Sequence, residues 1–384
     1  MCSAVVLRFG RFVHGVGHTR GFAAGRSNSS PVHPDDALTS AYTFDLPKEL
    51  IAQSHARPRD ASRLLVMRPT GLEHARFSDL PRYLRHGDLV VLNETKVFAA
   101  RLFGRREGSG GRVELLLLRP ADGQRYDPSA RRWQALVRPG RAMPLGQRVD
   151  FEELGCAHVV GIHENGVREI ELTLAVAWDD FLARAGRLPL PPYISNGSQE
   201  AQEDYQTIFA RTPGSVAAPT ASLHFTGEVL LALEEAGVQT ARLCLDVGLG
   251  TFSPVKAVRL DKHCMHEETF DIPPETATAI ARAKTQGRRI IAAGTTVMRA
   301  LEGSAHKHGT VSAGPDRTSL FISPGFRFAV VNGLITNFHL PQSSLLVLVS
   351  AFAGRQAVLA AYHEAVSARY RFFSFGDAML IEPE

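Results

Sequence analysis

Hydrophobic and polar positions give the first half of the chain the pattern of short strands. Brief apolar runs, each bounded by Gly, Pro or Asn, recur through residues 63–185. They lie at residues 63–67, 88–92, 112–118, 133–137 and 168–174. Turn residues at such close intervals separate strands that pair with their neighbours. The pattern predicts an antiparallel barrel or sandwich.

The second half, past the proline-rich residues 189–193, alternates apolar strands with helical stretches. Helical spacing of apolar residues covers residues 230–236 and 276–284. Buried strands are predicted at residues 241–247, 289–293, 319–322 and 334–337. This alternation is typical of an α/β domain, in which ligands bind at the carboxyl ends of the strands.

The start of the chain differs from both halves. Ordered sequence is predicted to begin near Tyr42, with a short helix after Pro47. Residues 1–28 contain Arg, Gly and Ser but no Asp or Glu, as transit peptides do. A disordered tail and a start codon placed too early are the alternatives, and together they are favoured over a transit peptide.

Length and composition limit the class of protein. A chain of 384 residues with 44% hydrophobic content can form one large core or two moderate ones, and two domains are expected. No apolar run reaches the roughly 20 residues that a bilayer-spanning helix needs, so no membrane contact is expected. The net charge of +4 neither supports nor excludes a nucleic-acid partner. The four cysteines are scattered and form no C-x-x-C pair, which favours a reducing cytoplasm.

Two loops of the second half combine small residues with hydrogen-bonding groups. The first carries Thr220, Ser222 and His224 among residues small enough to let a ligand approach the backbone. An ordinary turn is the alternative. The second has Gly248 and Gly250 directly after an apolar strand. A G-x-G pair is a weak signal for nucleotide binding, and a tight strand-to-helix turn explains it equally well.

A segment rich in histidine follows the second loop. His263 and His266 stand three residues apart, next to Glu267. Two imidazoles beside a carboxylate can form half of a metal site or transfer protons. The spacing differs from the i, i+4 pair of a helical zinc site, and no third ligand is evident in the sequence. Proton transfer or hydrogen bonding to a ligand is therefore favoured.

Two further loops each join a buried strand to a helix. Gly294, Thr295 and Thr296 offer backbone N–H groups and hydroxyls at a helix start, which suit a carboxylate, a phosphate or ribose hydroxyls. Capping of the helix is a compatible role for the threonines. Asn337 and His339 lie between a strand and an apolar helix. An imidazole at this position can be functional or structural.

Together these segments resemble the S-adenosylmethionine:tRNA ribosyltransferase-isomerase family of queuosine biosynthesis. The resemblance runs from Thr43 to about Ile381. The segments that carry it stand in the family's order and are Arg59-Asp-Ala-Ser-Arg-Leu-Leu, Gly87-Asp-Leu-Val-Val-Leu-Asn, Ala217-Ala-Pro-Thr-Ala, Val247-Gly-Leu-Gly-Thr-Phe, His263 with Met265-His-Glu, Gly294-Thr-Thr, Thr336-Asn-Phe-His-Leu-Pro, and Tyr370-Arg-Phe-Phe-Ser with Gly376-Asp-Ala-Met. So many segments in one order leave little room for coincidence.

The resemblance implies an α/β main domain with an inserted antiparallel β-barrel. Combined with the changes of pattern near residues 62 and 189, it divides the chain into three parts. We predict a disordered or mis-started extension over residues 1–42, an α/β catalytic domain over residues 43–62 plus 186–384, and the inserted barrel over residues 63–185.

The resemblance also implies a reaction. The ribosyl group of S-adenosylmethionine would be transferred and isomerised onto 7-aminomethyl-7-deazaguanine at the wobble position of tRNA. The products would be epoxyqueuosine, adenine and methionine. S-adenosylmethionine is then a consumed co-substrate, no metal or other cofactor is expected, and the tRNA carrying the deazaguanine precursor is the partner. We expect a cytoplasmic monomer.

This chemistry needs a base near the ribose and a proton donor for the departing adenine. His266 with Glu267 and His339 are predicted to transfer protons, with His224 as a third candidate. The residues predicted to bind substrate are Thr220, Ser222, Asp246, Gly248, Gly250, Thr251, His263, Gly294, Thr295, Thr296, Asn337 and Asp377.

The chain departs from the family pattern at several positions. Asp246 stands where a histidine is usual, and Ser222 where glycine is usual. Further departures are Val297-Met298 in place of Ser-Val, and Glu94 and Lys96 in place of Asp and Arg. A carboxylate at position 246 would attract a cationic sulfonium or act as a base, but it differs from imidazole in pKa and hydrogen-bond donation.

Two other functions are weighed against this one. One is a non-catalytic paralogue that binds tRNA or S-adenosylmethionine on the same fold. The chain retains five reactive side chains, which argues against this paralogue. They are His224, His263, His266, Glu267 and His339. The other is a metal hydrolase built on His263, His266 and Glu267, which metal analysis of the purified protein would test.

Overall fold

The computed structural model describes residues 33–163, 166–191, 193–194, 199–248 and 255–383. Its strands are β1 (Arg63–Arg68), β2 (Gly71–Arg76), β3 (Leu89–Asn93), β4 (Thr95–Val97), β5 (Arg101–Arg106), β6 (Arg112–Pro120), β7 (Arg132–Arg138), β8 (Arg148–Asp150), β9 (Gly155–Ile162), β10 (Val167–Leu174), β11 (Gly186–Arg187), β12 (Thr212–Ser215), β13 (Gln239–Leu245), β14 (Glu268–Ile272), β15 (Ile290–Ala293), β16 (Gly314–Thr318), β17 (Gly333–Asn337) and β18 (Ala378–Ile381). Its α-helices are α1 (Trp178–Ala185), α2 (Gln199–Asp204), α3 (Gly227–Glu235), α4 (Pro274–Thr285), α5 (Thr295–His308), α6 (Ser344–Ala353) and α7 (Arg355–Ser367).

A mixed sheet of nine strands forms the main domain, in the order β16-β14-β13-β3-β15-β17-β18-β1-β2. Its four central strands, β13, β3, β15 and β17, run parallel, so their carboxyl ends meet at one edge. Both faces of the sheet are covered. Leu89 and Val91 of β3 enter one hydrophobic core, and Val90 and Leu92 enter the other. Burial on both faces explains why these strands are nearly continuous apolar runs.

The inserted domain is a closed antiparallel barrel. Its six strands follow the order β5-β6-β7-β10-β9-β8, and β8 pairs with β5 to close the ring. β11 extends the barrel from β5. Trp133 of β7 stacks on Trp178 of α1 with ring centroids 5.2 Å apart, inside the barrel core. The insertion begins after β4 and ends before β12, and these two strands pair with each other in parallel.

The boundary of the barrel differs from the predicted one. Residues 63–67 and 88–92 were predicted to belong to the barrel, but they form β1 and β3 of the main sheet. Short strands between turn residues look alike in sequence wherever they pair. The partner of β1 is β18, more than 300 residues later, with Leu64 opposite Ala378. The strand predicted at residues 319–322 is also wrong, because the strand there is β16, which ends at Thr318.

Residues 33–42, part of the predicted extension, pack against the main domain. They form two 3-10 turns, Pro34–Ala37 and Thr39–Ala41. Arg355 Nε donates to Asp36 Oδ1 at 2.6 Å, and the Tyr42 ring is fully buried. The described structure therefore begins earlier than Tyr42. Residues 33–42 are held by contacts with residues far along the chain, such as Arg355, and a local sequence pattern does not reveal such contacts. Residues 1–32 lie outside the described part.

The apolar helix α6 continues the segment that follows β17. The Ser343 hydroxyl accepts a hydrogen bond from Leu346 N at 3.2 Å and so caps the start of this helix. Among the described helices, none alone is long and apolar enough to cross a membrane. α6 and α7 together pass that test by length and composition only, with a bend of 115° between them.

Candidate active site

A cleft, called here the first cleft, opens at the carboxyl edge of the main sheet, beyond β15 and β17. It brings together six of the residues predicted to bind or transform a ligand. These are Thr220, Gly294, Thr295, Thr296, Asn337 and His339. Parallel pairing of β15 with β17 places their two loops side by side, although more than 40 residues separate them. This juxtaposition agrees with the ligand position expected for an α/β sheet.

The start of α5 forms one wall of the first cleft. Gly294, between β15 and α5, has a φ of 113°, a conformation that favours glycine. No side chain in the described part of the chain caps this helix start. Thr295 and Thr296 therefore present their hydroxyls together with N–H groups of the first helical turn, which have no carbonyl partner inside the helix. Such a wall can bind a carboxylate or ribose hydroxyls.

His339 forms the opposite wall of the first cleft. Its Nε2 lies 2.8 Å from Thr336 Oγ1, and its backbone N–H donates to the Tyr362 hydroxyl at 3.0 Å. Burial lowers the pKa of His339 to about 3. The imidazole is therefore neutral at physiological pH and able to take up or hand on a proton.

His224 does not line either cleft, because it lies behind Asn337. Its Nε2 is 3.1 Å from Asn337 Nδ2, and its Nδ1 is 2.8 Å from Ser62 Oγ. The ring is fully buried and stacks on Phe77. Burial lowers its pKa to about 4. The structure therefore places His224 behind the cleft wall that Asn337 forms, and its role in proton transfer stays a prediction.

A second, wider cleft lies between the barrel and the main sheet. Barrel residues such as Arg119, Tyr126 and Gln134 form one side of it. The main domain forms the other side with predicted residues Asp246, Gly248, His263, His266 and Glu267. Val247 lines both clefts, so the two adjoin. The arrangement can hold one ligand at the sheet edge and a second ligand against the barrel.

The histidine segment lies at the rim of the second cleft. His266 and Glu267 are exposed, and Glu267 Oε1 pairs with Arg317 Nη1 at 3.2 Å. His263 is half-buried against Phe321, and burial lowers its pKa. In the described ranges, no group of three or more His, Cys, Asp or Glu side chains is arranged to hold a metal ion.

Asp246 is held by an ion pair that joins the two domains. Arg125, from the turn between β6 and β7, places Nε 3.1 Å from Asp246 Oδ2 and Nη2 3.3 Å from Oδ1. The Thr269 hydroxyl donates to Oδ2 at 3.1 Å. These donors neutralise and orient the carboxylate, and they fix the barrel against the mouth of the second cleft. Attraction of a sulfonium by Asp246, an expectation from the sequence, is weakened accordingly.

Replacing Asp246 by histidine, the residue usual in the family, is expected to lower stability rather than to raise activity. The change removes the Asp246 carboxylate from Arg125, which keeps Asp271 Oδ2 at 3.3 Å and Cys244 Sγ at 2.7 Å. We expect a loss of about 1–2 kcal/mol in the free energy of unfolding, measured by urea titration. An Arg125→Gln change in the same chain should recover part of that loss. Higher activity with unchanged stability in Asp246→His would contradict the importance of the pair.

Two predicted binding residues are occupied by the protein itself. Asp377 is almost fully buried and accepts hydrogen bonds from Arg63 N at 3.0 Å and Arg371 N at 2.7 Å. Ser222 is buried, with its hydroxyl 3.5 Å from Ala293 O. Neither lines the first or the second cleft, so their predicted binding role has no support from the described geometry. Gly250 and Thr251 lie outside the described residues.

Sequence reasoning gave no site role to several residues that build the site. Ser62 binds the imidazole of His224, and Phe373 lines the first cleft. His55 is buried behind that cleft, its ring 4.3 Å from Phe375. Arg125 comes from a turn of the barrel. Ser62 and Phe373 lie inside motifs that carry the family resemblance, and this position could have marked them as site residues. Nothing in the sequence marks Arg125 or His55 as part of the site.

The chain matches known proteins over nearly its full length. The model of the family described as "Queuosine biosynthesis protein" matches residues 39–381. The S-adenosylmethionine:tRNA ribosyltransferase-isomerase of Gloeobacter violaceus is 49% identical over 356 residues, covering 92% of this chain and 99% of that protein. The enzyme of the same name from Heliobacterium modesticaldum is 50% identical over 346 residues, covering 88% and 98%. The crystal structure of S-adenosylmethionine tRNA ribosyltransferase from Thermotoga maritima is 38% identical, with a TM-score of 0.50, and covers 89% of this chain and 100% of that one. The chain belongs to the S-adenosylmethionine:tRNA ribosyltransferase-isomerase family of queuosine biosynthesis proteins.

Proposed function

We propose that this chain transfers and isomerises the ribosyl group of S-adenosylmethionine onto 7-aminomethyl-7-deazaguanine at the wobble position of tRNA. The products are epoxyqueuosine, adenine and methionine. The observation that carries the proposal is the junction of two clefts at Val247 in a chain of this family. One cleft suits a nucleoside, and the other, between the domains, suits an extruded base.

The first cleft supports the S-adenosylmethionine side of the reaction. Thr295 and Thr296, with the first N–H groups of α5, suit hydroxyls or a carboxylate. The sulfonium acidifies the ribose carbon to which it is bonded. His339, neutral and in contact with the cleft, takes that proton, the sugar opens, and adenine leaves with a proton from a donor.

The second cleft supports the acceptor side. The aminomethyl group is a primary amine that is protonated near neutral pH, and this ammonium must lose a proton to become a nucleophile. His266 and Glu267 stand at the rim of this cleft and are the groups proposed to accept it. The amine nitrogen then adds to the ribose carbon next to the one that carries the sulfonium, which leaves an ylide at the sulfonium carbon. That carbon closes onto the aldehyde of the opened sugar, and the alkoxide so formed displaces methionine, a neutral thioether, to give the epoxide. Arg119 and Tyr126 on the barrel side suit a phosphate and a base face.

Release of free adenine tests the proposed function. Purified protein with S-adenosylmethionine and tRNA bearing the deazaguanine precursor is expected to release one adenine for each base modified. Chromatography of the reaction mixture measures the adenine, and mass spectrometry of digested tRNA measures the product. The matched control is the same tRNA carrying guanine at that position, which lacks the aminomethyl nucleophile. Modified tRNA without adenine, or no product with the complete mixture, would contradict the proposal.

A further inference from the structure

Asn337 has an amide oxygen that the protein leaves without a donor. The side chain is 98% buried at the end of β17 and lines the first cleft. Its Nδ2 lies 3.1 Å from His224 Nε2 and 3.3 Å from Phe373 O. Its Oδ1 has no hydrogen-bond partner in the described part of the chain. A buried acceptor without a donor is costly, which points to a ligand that supplies one.

The orientation of this amide follows from its two neighbours. A backbone carbonyl can only accept, so the group that faces Phe373 O must be the NH₂ of Asn337. The second N–H of that NH₂ donates to His224 Nε2, which must therefore carry no proton. The proton sits on His224 Nδ1, which donates to Ser62 Oγ. Burial keeps the His224 pKa low enough for this neutral form to persist at physiological pH. A flipped amide would set Oδ1 against a carbonyl oxygen.

We infer that Asn337 determines specificity in the first cleft by accepting, at Oδ1, a hydrogen bond from an N–H or O–H group of the bound nucleoside. His224 and Ser62 are positioning residues that hold the amide in this orientation from behind. The inference rests on the proposed function, in which the first cleft binds S-adenosylmethionine. Two kinds of group in the nucleoside part of that ligand have the required chemistry: the exocyclic amine of adenine and the ribose hydroxyls.

Ligand analogues distinguish these two donors. The probes are S-adenosylmethionine, its counterpart with the purine amine replaced by a carbonyl oxygen, and its 2′-deoxy and 3′-deoxy counterparts. Dissociation constants are measured by calorimetry on the full chain. Wild type is expected to bind one analogue about 10- to 100-fold more weakly than S-adenosylmethionine, because Oδ1 then stays unpaired. The analogue that shows the loss identifies the donor. If all analogues bind as well as S-adenosylmethionine, the inference is overturned using wild type alone.

Variants then assign the effect to Asn337. Leucine has the branched shape of asparagine but no acceptor, so in Asn337→Leu the penalty for the identified analogue should fall to less than about threefold. A penalty that stays at its wild-type size in Asn337→Leu overturns the inference. If the wild-type chain does not bind S-adenosylmethionine at all, both the proposed function and this inference fail. If it binds S-adenosylmethionine but Asn337→Leu leaves the analogue penalty unchanged, only the inference about Asn337 fails.

A matched pair of variants tests the positioning role of His224. Glutamine can present a carbonyl oxygen to Asn337 Nδ2, whereas phenylalanine keeps an aromatic ring beside Phe77 but offers no acceptor. His224→Gln should retain most of the wild-type analogue penalty, and His224→Phe should lose most of it. Thermal melting of both variants reports whether they fold. Equal analogue penalties in two folded variants would show that His224 has only a packing role.

Discussion

Lowering the pH from 7 to 5 is expected to reduce the free energy of unfolding by up to about 6 kcal/mol. Burial is the main cause that lowers the pKa of three histidines, to about 2 for His55, about 4 for His224 and about 3 for His339. In the unfolded chain each titrates near 6.5. Between these values only the unfolded chain takes up the protons. Each histidine therefore costs about 2 kcal/mol of stability at pH 5 relative to pH 7.

The sign of this effect follows from the depressed pKa values. The contribution of each neutral, buried histidine to the free energy of unfolding is fully present above the unfolded-state pKa, near 6.5. It is lost as the pH falls toward the pKa of that histidine in the folded chain. Burial raises the pKa of Glu302, so proton uptake by that carboxyl in the folded chain opposes the loss. Comparison of variants separates the histidine contribution from this opposing one.

Urea titrations at pH 7, 6 and 5 measure the loss. His55→Phe removes one buried titrating group and should reduce the fall between pH 7 and pH 5 by about 2 kcal/mol. The control is His306→Gln, an exposed residue on α5, which should leave the fall unchanged. If the free energy of unfolding falls by the same amount between pH 7 and pH 5 in wild type and in His55→Phe, His55 is not held neutral by burial.

Much of the main domain could be predicted from the sequence because its signals are local. The helical spacing at residues 230–236 and 276–284 gave α3 and α4, and the apolar runs at residues 289–293 and 334–337 gave β15 and β17. The sheet to which β1 belongs could not be predicted, because its pairing with β18 depends on contacts across most of the chain. A local sequence pattern predicts whether a segment is a helix or a strand better than it predicts which strand pairs with it.

For the candidate site too, local features could be predicted from the sequence and long-range contacts could not. The loops after β15 and β17 were predicted to carry ligand-binding groups, and Thr295, Asn337 and His339 do line one cleft. The sequence could not show that His224 stands behind Asn337, since residue type and spacing do not indicate burial. Nor could it show that Asp246 faces Arg125, because that contact joins a barrel turn to the main sheet.

Neutral imidazoles suit a cleft that binds a cation. A protonated histidine about 4 Å from a sulfonium would cost roughly 1–4 kcal/mol, depending on the local dielectric. The fold avoids this repulsion by burying both His224 and His339 next to polar but uncharged groups: Ser62, Asn337 and Thr336. The same neutrality keeps a lone pair on His339 for accepting a proton, while the lowered pKa makes the ring a weaker base than free imidazole.

Replacing His339 by alanine is expected to reduce the single-turnover rate of adenine release by about 10²–10³-fold. Its imidazole lines the first cleft and is the proposed proton acceptor, and the contact with Thr336 orients the ring. The dissociation constant of S-adenosylmethionine should change by less than about threefold, because the lost group acts on the reacting proton more than on the bound ligand. Rapid quenching and chromatography of adenine measure the rate.

Thr336→Val and His363→Ala complete this experiment. The first removes the hydroxyl 2.8 Å from His339 Nε2 and should slow adenine release by about tenfold, since the ring loses the partner that orients it. The second changes an exposed histidine of α7 and should leave the rate unchanged. If His339→Ala and His266→Ala both release adenine within about threefold of wild type, neither imidazole carries the proton. The base would then have to be a different group, because a cleft that merely binds the sulfonium nucleoside cannot remove the proton that opens the ribose.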